Sequence, residues 1–276
     1  MTSTVDAKYK TEMTWEEKAQ ANPLYAVMSI NEFKSRGGDA QEWSQEDLEL
    51  FYEKGQYIYE INLKPLLRRA DLPGKDTFIV EYGSGMGRIL KAIKADGYRC
   101  AGVDISKTMI DHSLNFVPEV RELYVLNAKG LCGIPSGSAD VVFSYAVLQH
   151  IDTLSRVRIA LSEMCRICKP GGRLRFEIFT PERPFGDPAG SAPLAVLNGE
   201  TDTVVISIGA PGGSPHANVK TLTHTHWNGV PLSLGTVRTI LEEFGVYITG
   251  ISQDVRQDIM FWIDAKKASP ASDEAA

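Results

Sequence analysis

The sequence predicts an α/β protein: a mostly parallel sheet with helices on both faces. Three observations carry that prediction. From about position 77 the chain alternates short apolar runs with segments of helical period. The first apolar run ends in the turn "EYGSGMGR" (81–88), with Gly83, Gly85 and Gly87 at every second position, and passes at once into a helical pattern. The second run ends in an acid, Asp104, about twenty residues further on. Strands alternating with helices imply a parallel sheet covered on both sides.

The first 72 residues read as a helical extension and lid. Residues 1–12 look frayed, and Thr14 with Glu17 forms a capping-box pattern. Ser44 caps a longer helix whose Leu48, Phe51, Tyr52, Ile58, Tyr59 and Ile61 suit a buried face. Tyr25, Phe51, Tyr52 and Tyr59 are assigned to packing rather than to a lid over a ligand. Pro65 is expected to kink the long helix and Pro73-Gly74 to end it.

A cofactor-binding α/β core is expected over 73–180. Its strands are read at 77–80, 100–103, 123–126, 139–145 and 173–179. One helix carries Met86, Ile89, Leu90 and Ile93 on a single face; a short one starts near Ser106. A third aligns Val157, Leu161, Met164, Cys165 and Cys168, and Lys169-Pro170-Gly171-Gly172 stops it. Residues 181–231 hold seven of the chain's fourteen prolines, which breaks the rhythm and marks an insertion after strand five. Long irregular segments of this kind tend to serve function, and this one is read as an acceptor-site lid, part of it β ("TVVISI"). A helix capped by Ser233 and two strands close the core over 232–266, and 267–276 reads as a disordered tail.

Composition narrows the function classes. The 276 residues are 43% hydrophobic and 23% charged, enough for a substantial core. A net charge of −6 disfavours a nucleic-acid partner, because phosphate neutralisation wants a basic face. The polar beginning and the lack of a run of about 18 apolar residues lead to the expectation of a cytoplasmic protein with no membrane partner. Cys165 and Cys168 form a CxxC with no second pair at zinc spacing, so both are read as core residues on a helix stripe and no metal is expected.

Glycines beyond strand ends let a ligand approach the backbone, and an acid at the end of the second strand can accept from both hydroxyls of a ribose. The ligand is therefore read as a nucleoside-bearing cofactor. In a dinucleotide fingerprint the third glycine would fall at Arg88. Glu81 beside a pyrophosphate would be costly, whereas an acid beside a cationic amino-acid group is favourable. S-adenosylmethionine, with a sulfonium, an ammonium and no phosphate, suits that charge.

The stretches "VEYGSGMGRIL" (80–90), "GVDISKTMI" (102–110), "IPSGSADVVFSYAVLQHI" (134–151) and "CKPGGRLRFEI" (168–178) resemble, in order and spacing, the class I S-adenosylmethionine-dependent methyltransferases of small-molecule type. The resemblance implies a Rossmann-like core and S-adenosyl-L-methionine as cofactor. It implies Glu81 near the methionine ammonium, Gly83, Ser84, Gly85 and Gly87 around the amino-acid end, Asp104 on the ribose and Ile105 on adenine. At the end of strand three the family usually has an acid that accepts from the adenine amino group; this chain has Asn127 beside Ala128, an uncharged acceptor. Tyr145 is implied near the sulfur.

Methyl transfer needs an aligned acceptor, and a hydroxyl acceptor also needs a base. His150, in "LQHI", and the His224/His226 pair at the end of the insertion are the candidates. His150 has an alternative role bracing the next helix, and the pair an alternative as a solvated turn. The expected function is methylation of a small-molecule acceptor, at oxygen for choice. An NAD-linked oxidoreductase and a non-catalytic binding module of the same fold remain as alternatives. Oligomeric state is not legible.

Overall fold

The computed structural model describes residues 13–180, 204–207, 219–222, 229–254 and 260–269. The sheet order is β3-β2-β1-β4-β5-β9-β8. Its strands are β1 (Phe78–Tyr82), β2 (Arg99–Asp104), β3 (Glu122–Val125), β4 (Ala139–Ser144), β5 (Cys168–Phe179), β8 (Val246–Gln253) and β9 (Met260–Lys267). The first five strands pair in parallel; β9 runs antiparallel to both β5 and β8. Strand order reverses at β1/β4, and that switch point opens the crevice where such sheets bind ligands. A separate antiparallel pair, β6 (Val204–Ser207) and β7 (Val219–Leu222), lies in the insertion, and β6 is the described part of the expected "TVVISI" strand.

Among the described residues eight α-helices accompany the strands in chain order: α1 (Trp15–Ala21), α2 (Pro23–Met28), α3 (Gln45–Ile58), α4 (Lys64–Leu67), α5 (Arg88–Ala95), α6 (Lys107–Phe116), α7 (Leu154–Ile167) and α8 (Leu234–Glu242). The caps read from the sequence are formed. Thr14 and Ser44 build capping boxes with Glu17 and Asp47, and the Ser106 and Ser233 hydroxyls accept from Met109 and Thr236 amides.

The two sheet faces carry different cores. One face presents Val80, Tyr82, Val142 and Phe176 to Val157, Leu161 and Met164 of α7 and to Val237 and Leu241 of α8. The other presents Ile79, Val141, Phe143 and Trp262 to Ile89, Leu90 and Ile93 of α5 and to Ile58 and Tyr59. Burying each such side chain contributes about 1.5–3 kcal/mol. Tyr25, Phe51 and Tyr59 are buried, as their helical spacing suggests, while Tyr52 is half-buried and its hydroxyl donates to the Met86 carbonyl at 3.4 Å.

Four boundaries differ from the sequence expectation, each for a local reason. Upstream of Pro65 the long helix widens into a π turn over Tyr59–Leu63, with the Lys64 amide donating to the Tyr59 carbonyl. Pro65 has no amide to continue the ordinary ladder, so the irregularity falls in the turn before it. The helix then ends at Leu67, short of Pro73-Gly74. Cys168 is not on the helix stripe but is the first residue of β5. Residues 169–172 do not separate helix from strand; they form an irregularity inside β5, where register shifts between Ala139 and Val141 and Gly171 adopts a φ of 76°. All four cysteines are free. The tail expectation covers 267–276, of which 270–276 lie outside the described residues.

Gly55 fixes how the extension docks. A Cβ there would lie 2.2 Å from the Arg88 carbonyl oxygen, because α3 crosses the start of α5 in direct backbone contact. Gly55→Ala is expected to cost about 1–3 kcal/mol from overpacking, read as a lower urea midpoint with an unchanged m-value.

Candidate active site

The site grows from the end of β1. Glu81 is inside the strand, paired with Gly102 of β2 and Phe143 of β4, and 2% exposed. Beyond Tyr82 the chain turns over the end of β2: the Gly83 and Ser84 amides both donate to the Val103 carbonyl, at 2.7 and 2.9 Å. Gly83 and Gly85 adopt φ of 78° and 52°, left-handed values that strain any side chain. At Gly83 a Cβ would also sit 2.2 Å from Val147; at Gly85 it would meet only Val27, at 3.4 Å. The backbone is thus tight on one side and approachable on the other. Gly87, also left-handed, is the N-cap of α5, and Ser84 is buried beside the turn.

Asp104 ties this turn to β2. Its Oδ2 accepts from the Gly85 amide at 2.8 Å and its Oδ1 from the Ser106 amide at 2.9 Å. A carboxylate offers about four acceptor positions, and with the Ile105 amide also against it, Asp104 keeps capacity for a ligand hydroxyl. Next to it Ile105 is 62% exposed, a large apolar surface at the crevice rim.

Electrostatics mark the same place. Burial pushes the Glu81 carboxyl up to about 8, against the Arg88 guanidinium, which pulls it down, while Asp104 adds to the rise. Burial also raises Asp104, outweighing the amide donors of Ser106 and Gly85, and Glu16 contributes. Glu81 Oε2 and Ser84 Oγ are buried with no hydrogen-bond partner among the described residues. A buried acid with an unsatisfied oxygen beside an approachable glycine backbone fits a cationic ligand that carries a ribose. The residues present therefore fit S-adenosylmethionine.

The β4 side supplies the other wall. Tyr145 stacks on Trp262 of β9, with centroids 5.7 Å apart and planes 12° apart. Arg88 lies over Tyr145 at 5.5 Å and over Phe51 at 6.0 Å. Arg175 covers Trp262 at 4.9 Å and binds Asp264. Ala146 adopts a φ of 56°, an uncommon conformation for a non-glycine residue, found often at binding loops. His150 ends a 3-10 turn (Leu148–His150) and is half-buried, its ring edge-on to Trp15 of α1 at 5.1 Å and 74°.

The structure brings Glu81, Gly83, Ser84, Gly85, Gly87, Asp104 and Ile105 to one rim, with Tyr145 and His150 on the β4 side. His224 and His226 lie outside the described residues. Asn127 and Ala128 sit in an exposed turn after β3, and Asn127 Oδ1 accepts from the Lys129 and Leu131 amides at 2.9 and 3.2 Å. Local backbone donors thus occupy the oxygen expected to face adenine. Sequence reasoning missed Trp15, Glu16, Val27 and Trp262, which reach the site from elements with no motif of their own. No spacing signal marks them; they read as ordinary helix, loop and strand residues.

A methyltransferase-domain family model matches residues 80–176. A mouse tRNA (carboxymethyluridine(34)-5-O)-methyltransferase is 29% identical over 110 residues, 40% of this chain; the match spans 16% of the mouse protein's length. Among solved structures, a Pyrococcus horikoshii protein aligns at a TM-score of 0.51 and 19% identity, covering 81% of this chain and 92% of that one. A Methanosarcina mazei S-adenosylmethionine-dependent methyltransferase aligns at 0.51 and 17%, covering 76% and 100%. At these identities the structures speak for the fold. The family match is confined to residues 80–176, and over that stretch the chain is similar to methyltransferase domains.

The raised Glu81 group sets a pH dependence. A folded-state value of about 8 against an ordinary 4.5 means the folded state holds the proton more tightly. Stability associated with Glu81 is therefore present below 4.5 and is lost as pH rises through about 8. Without cofactor, Glu81→Gln is expected to melt higher than the parent protein at pH 8.5, with the gap closing towards pH 4.5; thermal melts across that range check it.

Proposed function

We propose that this chain transfers a methyl group from S-adenosylmethionine to the hydroxyl oxygen of a small-molecule acceptor. The observation that carries the reading is the pair of acids on neighbouring strands: Asp104, held by backbone amides at the end of β2, and Glu81, buried in β1 with an unpartnered oxygen. Glu81, ionised, accepts the ammonium of the amino-acid end. Asp104 receives the ribose hydroxyls, Ile105 covers the adenine and Tyr145 lines the region of the sulfur. Bound there, S-adenosylmethionine supplies an electrophilic methyl group on a cationic sulfur. The enclosing side chains hold the acceptor in line and keep water out, an effect worth about 7–11 kcal/mol at best.

An alcohol gives up its proton as its oxygen gains the methyl group, and His150 is the base assigned to take it. Both ends of the insertion support an acceptor pocket beside that histidine. The chain leaves β5 at the buried Thr180, and Leu232 donates back to the Phe179 carbonyl at 2.9 Å. On its return Gly229 donates to the Gln149 carbonyl and Val230 to the Ile151 carbonyl, both at 3.0 Å. In this proposal the insertion, 181–231, closes the acceptor site, and His224 and His226, a few residues before Gly229, are alternative bases. The division into extension, core, insertion and closing elements, and cytoplasmic residence, belong to the same proposal. The net charge of −6 supports a small acceptor over a tRNA. Among the described residues no helix is long and apolar enough to cross a membrane.

Calorimetric titration tests the cofactor half. S-adenosylmethionine is expected to bind and NAD not to compete, with Asp104→Ala weakening affinity at least about tenfold; unchanged affinity removes the ribose role. A metabolite extract incubated with enzyme and cofactor, then scanned for mass gains of one methyl group, identifies the acceptor. With that acceptor, His150→Ala is expected to lower kcat about 100-fold or more while leaving cofactor affinity intact.

A further inference from the structure

The first two helices cover the ends of all three strands that build the cofactor crevice. At β1, Val27 of α2 is the nearest atom above Gly85. At β4, Trp15 of α1 packs edge-on against His150. At β2 the contact is polar and dense. Glu16 Oε2 accepts from Ser106 Oγ at 2.7 Å and from the Thr108 amide at 3.2 Å, and Oε1 accepts from Thr108 Oγ1 at 2.6 Å. These donors cluster at the start of α6, where a helix favours an anion. Burial alone would raise the Glu16 carboxyl, yet the Ser106, Thr108 and Gln20 donors outweigh it and hold it down at about 2.

The same contact reaches the ribose acid. Ser106 binds Glu16 through its hydroxyl and Asp104 through its amide, so one residue joins the extension to the cofactor acceptor. The rest of the contact is apolar: Ala19, Leu24 and Tyr25 pack with Met86, from the glycine turn, and with Met109 of α6. Apolar packing slides at little cost, whereas a carboxylate with three donors has one register.

We propose that Glu16 is a latch and positioning residue: it locks α1 and α2 closed over the cofactor crevice and holds the Ser106–Asp104 corner in place, so cofactor exchange requires its release. The proposal rests on the cofactor reading above. It makes the extension part of the binding machinery rather than a passive appendage. A covered crevice excludes water and retains the cofactor, and a latch of a few hydrogen bonds keeps exchange possible on the timescale of turnover.

Dissociation of S-adenosylhomocysteine, followed by stopped-flow fluorescence, tests it. Glu16→Gln is expected to speed dissociation about tenfold, and Thr108→Val, which removes one donor and keeps side-chain shape, by a smaller factor. The double variant is expected to be no faster than Glu16→Ala, since both lose one shared contact. Melting temperatures without cofactor report any general loss of folding. Hydrogen exchange on the cofactor-free protein gives an independent arm: the amides of 15–21 are expected to exchange faster in Glu16→Gln than in the parent. Dissociation rates within about twofold of the parent, or unchanged exchange in 15–21, overturn the latch. A parent protein that takes up no S-adenosylhomocysteine overturns the cofactor reading, while exchange in 15–21 still reports whether Glu16 holds the helix.

Discussion

The carboxylate of Asp104 is the constraint on which the site turns. It accepts one amide from the glycine turn after β1 and one from the start of α6, so a single side chain fixes two loops that come from different strands. A turn made of left-handed glycines has little stiffness of its own. Bridging it to β2 gives the crevice a defined floor before any ligand arrives. Glu81 works beside it in the opposite sense. It is buried where a charge is costly, and its unpartnered oxygen has most to gain from a cation.

A second layer of support comes from aromatic packing. Arg175, Trp262, Tyr145, Arg88 and Phe51 form a continuous column in which two guanidinium groups lie on ring faces and the two central rings stack. Contacts of this type contribute about 0.5–2 kcal/mol each. Their larger effect is geometric. The column ties β5 and β9 to the start of α5 and to α3, so the wall at Tyr145 is braced from elements distant in sequence. Gly55 belongs to the same docking, because only a residue without a side chain lets α3 reach the Arg88 backbone.

The extension over the site gives the two acids a further neighbour. Glu16 lies close enough to Asp104 to raise it, so the docked extension adds an acid beside the crevice. The insertion meets the same region from the other side, docking through Gly229 and Val230 on the turn that carries His150. The extension and the end of the insertion thus flank the crevice from opposite sides, outside the parallel strands that form its floor.

Much was legible in the sequence where function is written in local pattern. The strand–glycine turn–helix of 78–95, the acid at 104 and the caps at Thr14, Ser44, Ser106 and Ser233 depend on neighbours a few residues apart, and local sterics and hydrogen bonding decide them. The parallel core followed from the alternation of apolar runs, while the antiparallel direction of β9 emerged only with its pairing to β5 and β8. What tertiary structure alone decided was contact between distant residues: Glu16 on Ser106 and Thr108, Trp15 on His150, Trp262 under Tyr145 and Gly55 against Arg88. The break in β5 at 169–172 is of that kind too, since a Pro-Gly run reads as a stop until pairing with β4 carries the strand through it. Asn127 shows the limit most plainly, because its oxygen could be claimed by a ligand or by the next turn of its own chain, and only the folded loop assigns it to the backbone.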